Sequence, residues 1–137
     1  MEVERMDKLE YIPGDLVMVK KSALQFAKDK IFKVISSFSG GFVKVVMLND
    51  SSTTYSISNN AIRPIPLTPE IIEKNGWKSI NGKYALKIKN ANYVVLQFTE
   101  DGIYTYINEN TMLFTIKYIH ELQHLLYALH IDSNLKI

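Results

Sequence analysis

Nine short runs of strand-forming residues, each closed by a turn signal, constrain this 137-residue chain more than any other feature. Five of them occupy residues 16–19, 31–35, 42–48, 53–57 and 61–65. Between them lie Ile12-Pro13-Gly14-Asp15, Ser39-Gly40-Gly41 and Asn49-Asp50-Ser51-Ser52, whose glycine, asparagine and serine residues favour reversals. Residues 21–30, with Ala23, Leu24, Phe26 and Ala27, suit a long loop or one helical turn. A Pro-Gly-Asp-Leu-Val entry, a long first loop, three short strands and a closing strand predict an SH3-like small barrel over residues 1–65.

Pro64-Ile65-Pro66 marks the boundary, because proline fixes φ and cannot donate to a central ladder position. A short helix follows. Thr68 can cap it, Pro69 fits its first position and Glu70 suits the positive end of its dipole. Asn75-Gly76 stops it after two turns, and Trp77 folds back on it. The remaining four runs, 84–88, 93–98, 103–107 and 112–116, are evenly spaced and predict a four-stranded antiparallel meander with a tyrosine-rich outer face. Residues 117–129 predict a C-terminal helix, since Tyr118, Leu122, Leu125 and Leu129 recur with the period of one buried stripe. Residues 66–137 thus form an α+β second half in which helices cover an antiparallel sheet.

Composition narrows the chemistry. The chain holds no cysteine, which excludes disulfides, cysteine zinc sites, thiol catalysis and iron–sulfur clusters. Its formal charge of +2 argues weakly for a polyanionic partner, and the excess lies in residues 1–65, with nine Lys and Arg against seven Asp and Glu. The first residues lack the basic start and apolar run of a secretory signal, and no window has the length of a membrane span. A cytoplasmic location and no membrane partner are therefore expected.

One motif invites a chemical reading. His120-Glu121-Leu122-Gln123-His124 matches H-E-x-x-H, in which two histidines one helical turn apart bind zinc and the glutamate activates a water. His130 lies ten residues after His120, where metzincin zinc proteases place a third ligand. Three physical points oppose a zinc hydrolase. Tyr127 stands where that pattern has the glycine that breaks the helix. The run from Leu125 to Leu129 favours a continuous helix, which would carry His130 about 15 Å along the axis from His120. Seven residues follow His130, too few for a methionine turn. The preferred expectation is an amphipathic helix whose solvent face carries His120, His124 and Tyr127, with no cofactor and no catalytic residue. Zinc on His120 and His124, with Glu121 as base, is the rival.

The order Gly14-Asp15-Leu16-Val17, Ile62-Arg63-Pro64-Ile65-Pro66-Leu67-Thr68-Pro69-Glu70, Lys74-Asn75-Gly76-Trp77 and Lys117-Tyr118-Ile119-His120-Glu121-Leu122-Gln123 resembles a family of small proteins from phages and prophages of Bacteroides-like bacteria. The likeness spans nearly the whole chain. The family carries no established activity. Its members commonly have asparagine at the position of His124, and some have glutamine at Glu121, so the resemblance implies a structural role for this helix. It implies that His120, Leu122 and Gln123 serve helix packing or a hydrogen-bonded junction between the halves.

Other phosphate-cradling and triad motifs are absent from the sequence. Nucleic-acid binding would use Lys20, Lys21, Lys33 and Lys44 in the first half, beside Phe26 and Phe32. Tyr84, Tyr93, Tyr104 and Tyr106 are candidates for stacking on bases, although tyrosine is also a good strand former. The expected function is a non-catalytic binding protein of phage or prophage origin. Its partner would be a host protein, a nucleic acid or a nucleotide-like ligand. An open edge of the meander would let a second copy pair with it.

Overall fold

The computed structural model describes residues 11–19, 30–37 and 41–137. The loop expected at residues 21–30 lies almost wholly outside the described residues, as do Lys20 and Lys21. The chain divides into two compact units, Met1–Ile65 and Pro66–Ile137. The fold is α+β, with two antiparallel five-stranded sheets and two α-helices among the described residues. No helix of the described residues is long and apolar enough to cross a membrane.

The first unit contains β1 (Leu16–Val19), β2 (Ile31–Ser37), β3 (Phe42–Met47), β4 (Asp50–Ser58) and β5 (Ile62–Pro64). They pair in the order β4-β3-β2-β1-β5. The entry turn is closed twice, by Asp15 N–H to the Ile12 carbonyl (3.1 Å) and Ile12 N–H to Asp15 Oδ2 (2.8 Å). Val17, Val19, Phe32, Val34, Val43, Val45 and Ile57 alternate onto one face and form the core with Tyr11 and Ile62. The expected barrel is corrected here. The sheet is open, because β4 and β5 stand at its two edges and do not pair with each other.

The second unit begins with α1 (Pro69–Lys74). Thr68 Oγ1 accepts from the Ile71 N–H (3.4 Å), and Pro69 takes the first position, where a missing N–H costs nothing. Gly76 adopts φ +87° and Trp77 N–H returns to the Ile72 carbonyl (3.4 Å), which buries the indole against the helix end. The Asn75 carboxamide clamps the C-terminal segment there. Its Nδ2 donates to the Lys136 carbonyl (2.8 Å), and its Oδ1 accepts from the Lys136 N–H (2.7 Å).

The sheet of this unit runs β10-β9-β8-β7-β6, from β6 (Lys78–Ile80), β7 (Lys83–Lys87), β8 (Tyr93–Thr99), β9 (Gly102–Ile107) and β10 (Thr111–Ile116). It has five strands where four were expected. The extra one is β6, a three-residue strand returned by the Asn81-Gly82 turn, whose positive φ values (52° and 80°) match a two-residue hairpin. Gly102 is required where it stands, since a Cβ would lie 2.7 Å from Thr115 Cγ2. Between Met112 and Thr115 the register of β10 shifts. There the buried Thr105 hydroxyl donates to the Phe114 carbonyl and accepts from the Phe114 N–H (3.1 Å), filling the gap in the ladder.

The chain then enters α2 (Ile119–Ala128). Ile119, His120, Leu122, Gln123, Leu125 and Leu126 are buried, so six of its ten residues face inward. The buried stripe is wider than the leucine spacing implied.

Candidate functional site

The H-E-x-x-H motif lies wholly on α2. His120 is 0% exposed. The expectation that it lies on the solvent face is corrected: only Tyr127, 69% exposed, does so fully. The His120 ring stacks on Tyr118 (centroids 6.0 Å apart, 15° between planes) and meets His124 edge-on (5.5 Å, 82°). These separations are those of packed aromatic pairs. Glu121 is engaged as a helix cap. Its Oε1 accepts from the Lys117 N–H (2.6 Å) and the Tyr118 N–H (3.0 Å), two donors that the first turn leaves without helical partners.

The helix ends at Ala128 and does not run on through His130 as expected. His130 adopts φ +60°, its N–H reaches the Tyr127 carbonyl (3.0 Å), and Ile131 N–H reaches the Leu126 carbonyl (2.8 Å). His130 thus occupies the left-handed stop that glycine usually fills. Among the described residues, no group of three or more His, Cys, Asp or Glu side chains is placed to hold a metal ion. Gln123 is buried, and its Nε2 donates to the Ser133 carbonyl (3.2 Å), tying down the segment that follows the helix.

The outer face of the second sheet is organised differently. Alternation sends Val94, Leu96, Ile103 and Thr105 inward, and Tyr93, Gln97, Tyr104 and Tyr106 outward. Tyr84 departs from the expected set. It pairs in register with Leu96, packs edge-on against Phe98 (5.8 Å, 79°) and donates its hydroxyl to Glu73 Oε2 (3.1 Å). Burial foremost, and then the Glu73 carboxylate, raise its pKa above the ordinary tyrosine value.

Tyr93, Tyr104 and Tyr106 share the outer face with a row of lysines. Lys83 and Lys87 alternate with the inward Tyr84 and Leu86, and Lys78 lies opposite Ala85 in the register of β6 and β7. Lys83 Nζ sits 5.8 Å from the Tyr106 ring centroid, and the Tyr106 hydroxyl donates to Gln97 Oε1 (3.2 Å).

On this face lies a cavity of about 710 Å³. Its apolar part comes from Ile80, Ala85, Val95 and Tyr93, and its polar rim from Asn81, Lys83 and Asn108-Glu109-Asn110. Tyr93 is 40% exposed there. Asn108 fixes the rim: its backbone N–H bonds to the Tyr93 carbonyl (2.7 Å), its Oδ1 accepts from the Tyr93 N–H (2.9 Å), and its Nδ2 donates to Asn92 Oδ1 (3.1 Å). Ala91, also on the rim, is held at φ +62°, a conformation that costs an L-residue about 1–2 kcal/mol. Strain of that kind persists only where the surroundings hold it, and it concentrates at functional sites.

In the first unit, Lys33 and Lys44 also point outward, alternating with buried Phe32, Val34, Val43 and Val45. They stand on adjacent strands, and the exposed Phe42 lies two residues before Lys44 on β3. A small hollow of about 210 Å³ lies in the same unit, lined by Lys30, Ile31, Met47, Leu48 and Asn49.

No protein-family model, curated protein or solved structure matches the chain.

Sequence reasoning named Tyr93, Tyr104 and Tyr106 but not Ile80, Asn81, Lys83, Ala85, Val95 or Asn108 to Asn110. One available signal was Asn81-Gly82, the strongest short-range mark of a hairpin. It predicts β6, and β6 brings Ile80 and Lys78 onto the tyrosine face. The other was the recurrence of asparagine in the turns flanking the outward tyrosines.

Proposed function

We propose that this chain is a non-catalytic binding protein of phage or prophage origin, acting in the bacterial cytoplasm on a host macromolecule or ligand. The observation that carries this reading is the cavity on the outer face of the second sheet. Its volume of about 710 Å³ falls within the span of ligand sites, roughly 300–1,000 Å³, and it pairs apolar lining with a few placed polar groups. Among the described residues, the polar side chains that line the cavity are three asparagines, Lys83, Glu109 and Tyr93, with no serine, threonine or histidine. The residues of the H-E-x-x-H motif have packing and capping roles instead, which favours binding over zinc hydrolysis.

The first unit is read as a relative of the SH3-like arrangement. The support is its strand order β4-β3-β2-β1-β5, in which the closing strand returns beside the first.

Amide NMR of the full chain titrated with a mixture of small polar and aromatic fragments tests the binding reading. The expected result is a cluster of shifts at Ala85, Tyr93, Val95 and Asn108. A cavity that responds to none of the fragments overturns it. So does stoichiometric zinc in the purified protein that is lost in both His120→Ala and His124→Ala.

A further inference from the structure

We propose that the outer face of the second sheet binds single-stranded nucleic acid, with the tyrosines stacking on bases and the lysine row meeting phosphates. This rests on the reading of that face as the binding surface and names its ligand.

Three features converge on one side of the sheet. The first is charge. Lys78, Lys83 and Lys87 project outward from two neighbouring strands, and among the described residues Glu109 is the only acidic one lining the cavity beside them. The second is aromatic surface. Tyr93 on β8 and Tyr104 and Tyr106 on β9 lie one and two strands from the lysines, with Val95 between Ala85 and Tyr106 in the register. Tyrosine faces on an exposed sheet bind successive bases regardless of sequence, because every base has a π-face. The third is the polar rim. Asn81 and Asn110 are exposed and line the cavity, and a carboxamide offers both donors and an acceptor to a base edge.

The layout separates the two parts of such a ligand. Lysines stand on β6 and β7 and tyrosines on β8 and β9, as expected if a backbone tracks one side and its bases turn toward the other. Lys83 and Lys87 stand at the two ends of β7, four residues apart, so the lysine row runs over about 13 Å, enough for a short stretch of strand and not only for one nucleotide. A duplex fits less well, because its bases are stacked internally and cannot reach the tyrosines. A neutral ligand would leave the lysine row unused. The face differs from the basic patch expected in the first unit, where Lys33 and Lys44 stand on the solvent side of another sheet.

The test is fluorescence anisotropy of the full chain with labelled oligothymidylate and oligouridylate, alongside a duplex of equal length, between about 50 and 200 mM salt. Single strands are expected to bind more tightly than the duplex. The plot of log affinity against log salt should have a slope near −2, about −0.7 for each of three phosphates neutralised. Tyr93→Ala should weaken binding by about five- to hundredfold, the loss of one stacked base. Lys78→Gln and Lys87→Gln, both at exposed positions, should each flatten the slope by about 0.7 without altering the fold. Binding lost in Lys33→Gln and Lys44→Gln but retained in the β6–β7 variants overturns the proposal. So does absence of binding to either single strand at the lowest salt. If fragments still shift Ala85, Tyr93 and Val95 in that case, the face remains a binding site and only its ligand has been misassigned. If nothing shifts them, both readings fall.

Discussion

The His120 face of α2 and the outer face of the second sheet make opposite use of their polar residues. On α2 the chemically suggestive side chains are enclosed or engaged: His120 lies between Tyr118 and His124, Glu121 caps the helix and Gln123 holds the following segment. On the sheet no motif is present, yet Tyr93, Lys83 and the asparagine turns surround an open cavity. A residue's chemistry becomes function only when solvent or a ligand can reach it. A motif in one dimension records type and spacing, and access is a property of the packed molecule.

If α2 is packing and the sheet face is a site, substitutions on the two should differ most in stability. Leu122→Ala removes a fully buried side chain and should cost about 2–5 kcal/mol in chemical denaturation. A cost below about 1 kcal/mol would mean that the helix face is not core.

Thr105→Val tests the inner side of the same sheet. It keeps the shape but leaves the Phe114 N–H and carbonyl without the hydroxyl, so a loss of about 1–3 kcal/mol is expected. Thermal unfolding of the pair would show whether the β10 irregularity depends on that hydroxyl.

Glu121 separates cap from catalyst. Glu121→Ala should cost about 1 kcal/mol, while Glu121→Gln, which keeps an oxygen acceptor, should recover most of it. A general base tolerates neither change. Equal damage from both variants would therefore contradict the capping role.

Asn110→Ala on the cavity rim should shift stability by no more than about 0.5 kcal/mol while changing ligand response.

The smallest effect concerns Tyr84, the tyrosine that turned inward. Its proton is held more tightly in the folded chain, mainly by burial and further by Glu73, than in the unfolded chain, where tyrosine titrates near about 10. Its contribution is therefore intact below about pH 10 and is lost as pH rises through the higher folded value. Tyr84→Phe should flatten the alkaline decline in stability, measured by denaturation at a series of pH values. An unchanged profile would place Tyr84 in solvent with the other tyrosines.

Much of the architecture was legible because it follows from local chemistry. Proline spacing at residues 64 and 66, the Thr68-Pro69 start and the Gly76 stop act within a few residues of themselves, and α1 formed where they point. Strand alternation placed Val17, Val19, Phe32 and Val34 inside for the same reason. β6 escaped notice because three residues with an exposed lysine and serine carry no hydrophobic period, and only its Asn-Gly turn betrays it. His130 escaped because histidine seldom takes the left-handed stop, and helix propensity over residues 125–129 gives no hint of it. Tyr84 looks identical to Tyr93 in one dimension, and register alone turned one inward and the other outward.

By itself the sequence determined an α+β chain of short antiparallel strands, its proline boundary, its two well-signalled helices and the absence of thiol chemistry. Those properties depend on period, capping and composition, which act over a few residues. Only the tertiary structure decided that the first sheet stays open, that His120 is sealed in the core and that lysines from β6 and β7 meet tyrosines from β8 and β9. These depend on pairing between residues far apart in the chain, where a shift of one position sends every side chain to the opposite face.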